Sequence, residues 1–159
     1  MPGDRRKEEA PPLSSFYGFI FFVVLIDQAS KAVALRALSL DRSIPVLQGI
    51  FHLTLVHNTG IAFGFFREHQ GVLLILITLS LVFLWVWAVR MESGSAGSRA
   101  AFALILGGAV GNWIDRIRYG AVVDFLDFRI WPVFNIADSA ITIGVALYLG
   151  LLIWGKKSR

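Results

Sequence analysis

The sequence predicts a mainly α-helical, polytopic membrane protein with four transmembrane helices and a small extracytoplasmic β element. Of its 159 residues, 56% are hydrophobic, and a mean hydropathy of +0.67 is too high for an ordinary soluble domain. Four apolar runs are long enough to cross a bilayer, since about 20 residues at ~1.5 Å each span a hydrocarbon core of ~30 Å. The chain therefore divides into a cytoplasmic leader (1–12), a single membrane domain (13–155) and a basic cytoplasmic tail (156–159).

The first span, Leu13 to Leu35, carries two ionisable residues in an otherwise apolar stretch. Asp27 and Lys31 are four residues apart, so they share one helical face and can pair with each other or turn toward the bundle interior. A cleaved signal peptide usually has a shorter apolar region without embedded charges, which favours a transmembrane helix here. For Asp27, a structural ion pair and an active-site role remain equal alternatives.

The segment from 36 to 70 has a different pattern, which predicts short strands. In FHLTLVHN (51–58) hydrophobic and polar residues alternate, and proline, glycine and asparagine bound the alternation. We therefore expect a small β element at about 41–66, lying on the membrane surface. Scattered histidines in this segment match no metal-ligand spacing, so no metal is expected at His52, His57 or His69.

Three further apolar spans follow, and the basic residues around them set the orientation. The predicted spans are Gly71 to Val89, Ala100 to about Ile117, and about Val133 to Gly155. Eight of the 15 Lys and Arg residues lie in the leader, in the tail and in the short 90–99 loop. The positive-inside rule therefore favours cytoplasmic termini.

That topology places four carboxylates near one plane, toward the outer face. The first and third spans run outward and reach Asp27 and Asp115 after similar distances. Asp138 lies in the first turns of the inward-running fourth span, and Asp124 lies on the outer link before it. Isolated carboxylates at this depth would be costly, whereas a cluster with water, Asn and Arg partners is accommodated. Ionisable groups at membrane depth indicate a functional site.

The third span presents polar residues on one face. Gly108, Asn112, Asp115 and Arg116 follow at intervals of three or four residues, so a neighbouring group could approach at the glycine and then meet polar contacts. Such a face can line a site. The alternative is helix packing together with an interfacial Asp/Arg pair that snorkels toward water.

Five short motifs follow one another between Asp27 and Leu151. They are DQASK (27–31), NTGIAFG (58–64), GGAVGNWIDR (107–116), GAVVDF (120–125) and FNIADSAI (134–141). Each motif is weak alone, but in this order and spacing they closely resemble the lipoprotein signal peptidase family, signal peptidase II, which comprises aspartyl membrane endopeptidases of bacteria.

The resemblance implies four transmembrane helices with a periplasmic β-cradle in the bacterial cytoplasmic (inner) membrane, and no cofactor. It also implies cleavage of a diacylglyceryl-modified prolipoprotein just before its lipidated cysteine. The family's two catalytic aspartates match Asp124 and Asp138. Its polar surround matches Asp27, Asn58, Asn112, Arg116 and Asn135. We expect further support or substrate contact from Lys31, Gly108 and Asp115.

The chemistry of the residues agrees with this assignment. Two carboxylates in a partly desolvated site cannot both ionise easily, so one holds a proton while the other remains a base. Such a pair can activate water and protonate a leaving amine. Spacing alone does not separate Asp115 from Asp124 as a member of the pair, and the resemblance makes that choice.

Two other classes of protein remain alternatives on the residues alone. A proton-coupled transporter also buries carboxylates, but it normally has more spans and an internal repeat, and this sequence shows no repeat. A membrane scaffold would need no converging acids. Nucleic acid is not an expected partner, because the basic residues mostly flank apolar runs. The expected partners are prolipoprotein substrates and membrane lipid, and we expect a monomer.

Overall fold

Four helices make up most of the molecule. The computed structural model describes residues 13–40, 42–60, 70–90 and 95–157, so the leader and the last two residues of the tail lie outside the described residues. The helices are α1 (Leu13–Ala37), α2 (Gln70–Arg90), α3 (Ala96–Tyr119) and α4 (Ile136–Lys157). All four are long and apolar enough to cross a membrane, which confirms the predicted fold class.

Two helices begin at different residues from those predicted, because polar side chains cap them. α3 begins at Ala96, four residues earlier than expected, since Ser95 Oγ accepts the backbone N–H of Ser98 at 3.2 Å. α4 begins at Ile136, three residues later than expected. Asn135 precedes it, and its side-chain oxygen accepts a backbone N–H of the first turn. The length of an apolar run predicts that a helix crosses the membrane, whereas the capping residue determines where that helix begins.

α3 is the central helix and packs against the other three. A buried cluster of Phe16, Phe102, Ala103 and Leu106 joins α1 to α3, with residues of α2 and α4 packed around it. Many large apolar side chains elsewhere face outward, as expected where lipid and not water is the solvent. Examples are Phe21 on α1, Leu79 and Phe83 on α2, and Ile153 on α4.

Gly108 allows α3 and α4 to approach closely. A Cβ atom at this position would overlap the carbonyl oxygen of Ala137 and would lie 2.8 Å from Cγ1 of Ile141. The gap that the sequence predicted beside Gly108 is therefore filled by the backbone of α4. Gly108 contributes to the candidate site by letting α4 begin next to α3.

A three-stranded antiparallel sheet, in the order β1-β2-β3, lies beside the helices. The strands are β1 (Ser43–Leu47), β2 (Phe51–Asn58) and β3 (Val122–Asp127). The first two form the β element predicted within 41–66, joined by a turn in which Gly49 has a φ of 76°. Residue 41 and residues 61–66 of that range lie outside the described residues.

The strand β3 was not predicted from the sequence, in which Asp124 was placed on the outer link between the third and fourth spans. The strand VVDFLD places apolar residues side by side, and five of its six residues are buried. A strand covered on both faces shows no alternation, so periodicity does not reveal it. Its pairing with β2 sets Asp124 opposite Val56 and brings the middle of the strand to the helix bundle.

Candidate active site

Asn135 joins the two aspartates that were predicted to be catalytic. Its side chain is fully buried, and its Nδ2 donates to Asp124 Oδ1 at 2.7 Å. Its Oδ1 accepts the backbone N–H of Asp138 at 2.9 Å, and its own backbone N–H donates to Asp138 Oδ2 at 3.3 Å. The last two bonds form a reciprocal cap at the start of α4. One asparagine therefore contacts a carboxylate on a strand and another on a helix.

Asp124 is the more deeply buried of these two carboxylates. It lies in β3 with 1% of its surface exposed, and Asn58 Nδ2 donates to its Oδ2 at 3.0 Å. Burial is the main cause that raises the pKa of the Asp124 carboxyl to about 7. The negative charge of Asp138 raises it further, while hydrogen bonds from Asn58 and Asn135 and the charge of Lys31 oppose the rise. Asp124 therefore exchanges a proton near neutral pH.

Asp138 is half-buried and opens onto a cleft. It lies in the first turn of α4, where the helix dipole favours a negative charge. Asn112 Nδ2 donates to its Oδ1 at 2.7 Å. The cleft beside it has a volume of about 460 Å³ and is mostly apolar. Its lining includes Phe128, Trp131 and Phe134 on one side and Asp138, Thr142 and Ile143 on the other.

A buried cation lies next to the pair. Lys31 is 2% exposed, and its Nζ lies 2.8 Å from Asp27 Oδ2 and 2.8 Å from Asp115 Oδ2. It also donates to Asn112 Oδ1 at 2.9 Å. The sequence allowed Asp27 and Lys31 either to pair with each other or to turn toward the bundle interior. In the structure they do both. Asn112 connects this cation to Asp138.

Asp27 and Asp115 each accept a hydrogen bond from the backbone N–H of the residue that precedes one of the two aspartates. Asp27 Oδ1 accepts the N–H of Ala137 at 2.9 Å, and Asp115 Oδ2 accepts the N–H of Val123 at 3.1 Å. They thus fix the start of α4 and the start of β3. Within the described ranges, Asp115 pairs with Lys31 and forms no ion pair with Arg116, contrary to the snorkelling alternative.

Gln28 is a member of this site that the sequence analysis missed. Its Nε2 lies within hydrogen-bonding distance of Asp27 Oδ2, the Gly111 carbonyl and Asp115 Oδ1, at 3.2, 3.2 and 2.9 Å. It therefore ties α1 to α3 beside the buried cation. Its position in DQASK, next to an acid inside an apolar span, was the available signal.

Arg116 lies at the edge of the site with spare hydrogen-bonding capacity. Its guanidinium donates to the carbonyls of Asn112 and Gly60 at 3.3 and 3.2 Å. Its Nε is buried and has no partner among the described residues. The charges of Asp138 and Asp124 both act on it. An unpaired N–H beside two carboxylates is suited to a carbonyl group of a bound molecule.

The structure separates Asp127 and His52 from this site. Asp127 accepts a hydrogen bond from Thr54 and pairs with Arg129, and His52 also contacts Arg129. His57 is exposed, and His69 lies outside the described residues. Among the described residues, no group of three or more His, Asp or Glu side chains is arranged to hold a metal ion.

These elements define a multi-pass membrane protein whose helix bundle encloses a carboxylate site suited to acid–base chemistry. A family model described as signal peptidase (SPase) II matches residues 19–154. The chain is 42% identical over 141 residues to the lipoprotein signal peptidase of Halothermothrix orenii, covering 89% of this chain and 96% of that protein. It is 42% identical over 144 residues to the lipoprotein signal peptidase of Geobacter sulfurreducens, covering 86% and 90%.

Solved structures agree with these sequence matches. A bacterial membrane enzyme superposes with a TM-score of 0.83 and 29% identity, covering 96% of this chain and 95% of the other. A second one gives a TM-score of 0.77 and 31% identity, covering 91% and 96%. The chain belongs to the signal peptidase II family, as its motifs predicted. It is a membrane peptidase that processes signal peptides.

Proposed function

We propose that this protein removes the signal peptide from diacylglyceryl-modified prolipoproteins, cleaving just before the lipidated cysteine, with Asp124 and Asp138 as its catalytic dyad. The observation that carries the proposal is that one buried asparagine, Asn135, donates to both carboxylates, to Asp124 from its side chain and to Asp138 from its backbone N–H. Relatives named lipoprotein signal peptidase support the substrate class.

In the proposed mechanism, Asp124 is the protonated acid and Asp138 is the base. Burial favours the protonated form of Asp124 at neutral pH, whereas Asp138 opens onto the cleft from which water and peptide would enter. Asp138 removes a proton from a water molecule, and the resulting hydroxide attacks the scissile carbonyl carbon while Asp124 protonates the carbonyl oxygen. The proton on Asp138 then passes to the leaving nitrogen as the C–N bond breaks, and one hydroxyl of the tetrahedral intermediate returns a proton to Asp124, which restores both carboxyl groups to their starting states. The products are a signal peptide with a free carboxyl terminus and a lipoprotein whose first residue is the lipidated cysteine.

The surrounding polar residues keep this pair in place. Lys31 donates a hydrogen bond to the side chain of Asn112, and Asn112 donates one to Asp138. The buried cation therefore helps to orient the base through the amide group of Asn112. Asn58 and Asn135 orient the acid from both of its oxygens. We assign Arg116 to a carbonyl of the substrate because each terminal nitrogen of its guanidinium makes only one hydrogen bond among the described residues and has a second N–H to donate. Preorganised donors of this kind need little rearrangement during reaction.

The same proposal includes the placement of the protein. Residues 13–155 form one membrane domain, both termini face the cytoplasm, and the site lies toward the outer face of the inner membrane. This orientation rests on the distribution of basic residues. It puts the dyad where lipid and water meet, which a lipidated peptide requires. We expect the protein to act as a monomer without a cofactor.

A synthetic peptide with an S-diacylglyceryl cysteine tests the proposed function. The purified full-length protein is incubated in detergent with this peptide and with the same peptide lacking the lipid, and the products are identified by mass spectrometry. We expect a single cut before the cysteine, and much slower cleavage of the unmodified peptide. Equal cleavage of both peptides, or a cut elsewhere, would rule out the proposed substrate class.

A further inference from the structure

A second polar cluster lies on the sheet and takes no part in the proposed chemistry. We call it the sheet cluster, and its members are Ser43, His52, Thr54, Asp127 and Arg129. Side chains alternate between the faces of a strand, so Asp127 points to the opposite face of β3 from Asp124. The cluster therefore lies behind the sheet, as seen from the dyad.

The contacts of the cluster run across all three strands. Ser43 Oγ lies 2.7 Å from Thr54 Oγ1, and Thr54 Oγ1 donates to Asp127 Oδ2 at 2.7 Å. Arg129 closes the far end. Its Nη2 donates to His52 Nδ1 at 2.9 Å, and its Nη1 lies 3.5 Å from Asp127 Oδ2. The cluster thus ties Arg129, the second residue after β3, to β1 and β2.

Arg129 has a backbone conformation that needs this support. Its φ is 66°, in the left-handed region that residues other than glycine, asparagine and aspartate seldom adopt. Asp127 Oδ1 accepts the backbone N–H of Arg129 at 2.8 Å, which forms a tight turn. Its guanidinium is held by the same carboxylate and by His52. Side chain and backbone of Arg129 are therefore fixed together.

This turn begins the loop 128–134, which forms one wall of the cleft beside Asp138. Backbone pairing between Leu126 and Phe134 closes the loop at its base. The rings of Phe128 and Phe134 stack at 5.8 Å. Between these two phenylalanines, Ile130 is 93% exposed and Trp131 is 68% exposed, so the tip has little packing of its own. Its path depends on the turn at Arg129.

We propose that Arg129, held by Asp127 and His52, is a positioning residue that fixes the 128–134 loop as the apolar wall of the substrate cleft. The wall would contact the apolar stretch of the substrate next to the scissile bond, and so the cluster sets how tightly substrate binds. It does not touch the reacting atoms. The expected effect on substrate binding rests on the proposed function, whereas the role of Arg129 in holding the loop rests on the structure of the loop alone.

Arg129→Asn is the decisive variant. Asparagine adopts the left-handed conformation readily, so the change removes the guanidinium with little backbone penalty. We expect KM for the lipidated peptide to rise roughly three- to tenfold with kcat within about twofold of wild type, because ground-state and transition-state binding are weakened equally. Arg129→Lys, which retains the charge but not the planar fork, should give a smaller rise. Arg118→Ala removes an exposed cation outside the loop and serves as the control.

Amide hydrogen exchange of the free protein separates this inference from the proposed function. We expect amides of the 128–134 loop to exchange faster in Arg129→Asn than in wild type, and those of α3 to be unchanged. This measurement does not require peptidase activity, so it tests whether Arg129 fixes the 128–134 loop even if the lipidated peptide is not cleaved. Unchanged loop exchange, an unchanged KM, or a fall in kcat alone would overturn the assignment. Asp127→Asn provides an independent second variant with the same expected direction.

Discussion

At the scale of single residues, the two aspartates of the proposed dyad differ because their surroundings differ. Asp124 is enclosed by β3, by two asparagines and by the bundle, whereas Asp138 is half-buried at a helix start and opens onto a cleft. Desolvation penalises the charged form of the enclosed group more strongly. This asymmetry is the reason for our proposal that Asp124 is the acid and Asp138 the base.

Replacing either dyad carboxylate should abolish turnover and preserve the fold. Asparagine has nearly the same size, so we expect Asp124→Asn and Asp138→Asn to insert normally and to lose roughly 10³-fold or more in kcat. The double variant should lose little beyond either single change, because residues that act as a unit are strongly non-additive. Single-turnover assays with the lipidated peptide measure these rates.

Asp115→Asn is the matched control for those variants. It removes a carboxylate that contacts Lys31 and Val123 but neither dyad oxygen, so it should retain measurable turnover. Near wild-type cleavage by Asp124→Asn or Asp138→Asn would contradict the dyad assignment. Complete inactivity of Asp115→Asn in a properly folded protein would mean that the acid has been assigned to the wrong residue.

The pKa of Asp124 predicts how activity depends on pH. With the pKa raised to about 7, mainly by burial, Asp124 holds its proton below neutral pH and loses it above. We expect kcat/KM to fall about tenfold per pH unit above pH 7, since the proposed acid is then deprotonated. Initial rates measured from pH 5.5 to 9 test this fall in kcat/KM on the alkaline side. A rate that keeps rising to pH 9 would exclude a protonated Asp124 in the mechanism.

The same group predicts how stability depends on pH. An unfolded aspartate releases its proton near pH 4, but folded Asp124 keeps it until about pH 7, so the folded state binds more protons between these values. The free energy of unfolding should therefore fall as pH rises from 4 to 7 and then level off. We expect Asp124→Asn to lack this fall. Thermal unfolding in detergent, followed by circular dichroism, gives the comparison.

At the scale of elements, the start of α4 is the point where the bundle and the site meet. Asp27 accepts one N–H of its first turn, Asn135 caps it, and Gly108 lets it lie against α3. Negative charge at a helix N-terminus is favourable, and a close approach shortens the distances between polar groups. The position of Asp138 is thus set by α1, by α3 and by the residue that precedes α4.

Gly108→Ala tests this arrangement. The added Cβ would overlap the Ala137 carbonyl, so α4 must shift away from α3. We expect the unfolding midpoint in detergent to drop by several degrees, as for an overpacked core site costing about 1–3 kcal/mol, together with reduced kcat. Gly18→Ala is the control, because a Cβ at Gly18 meets nothing within 4 Å. Equal midpoints for the two variants would show that the approach of the helices is not important.

At the scale of the whole molecule, the distribution of charge decides orientation. Basic residues concentrate in the leader, the 90–99 loop and the tail, so we expect these segments to face the cytoplasm. The sheet and the site would then face the other side. The proposed cleavage of an exported, lipidated substrate would require this arrangement.

Cysteine labelling in intact cells tests the orientation. The chain has no native cysteine, so a single introduced cysteine can be detected without background. A membrane-impermeant thiol reagent should label Gln48→Cys, which lies in the exposed turn between β1 and β2, once the outer membrane is permeabilised. Ser95→Cys, before α3, should be labelled only after lysis. The reverse pattern would invert the topology.

The sequence by itself determined the four spans, the β1–β2 hairpin and the family. Span length, two-residue alternation and short motifs are local properties, and a bilayer adds a strong requirement on apolar length. Asp27 and Asn112 were named because polar groups in an apolar span are conspicuous, whereas Asn135 was named from the family resemblance. Local patterns did not reveal how these residues are connected.

The tertiary structure decided those connections. It added β3, shared Lys31 between Asp27 and Asp115, made Asn135 the link between the dyad residues, and placed Asp127 in a separate cluster. The hydrogen bond from Ala137 to Asp27 spans 110 residues of sequence. Contacts over such separations depend on which helix faces and strand registers come together. Periodicity fixes a residue's own face but not the residue that lies opposite.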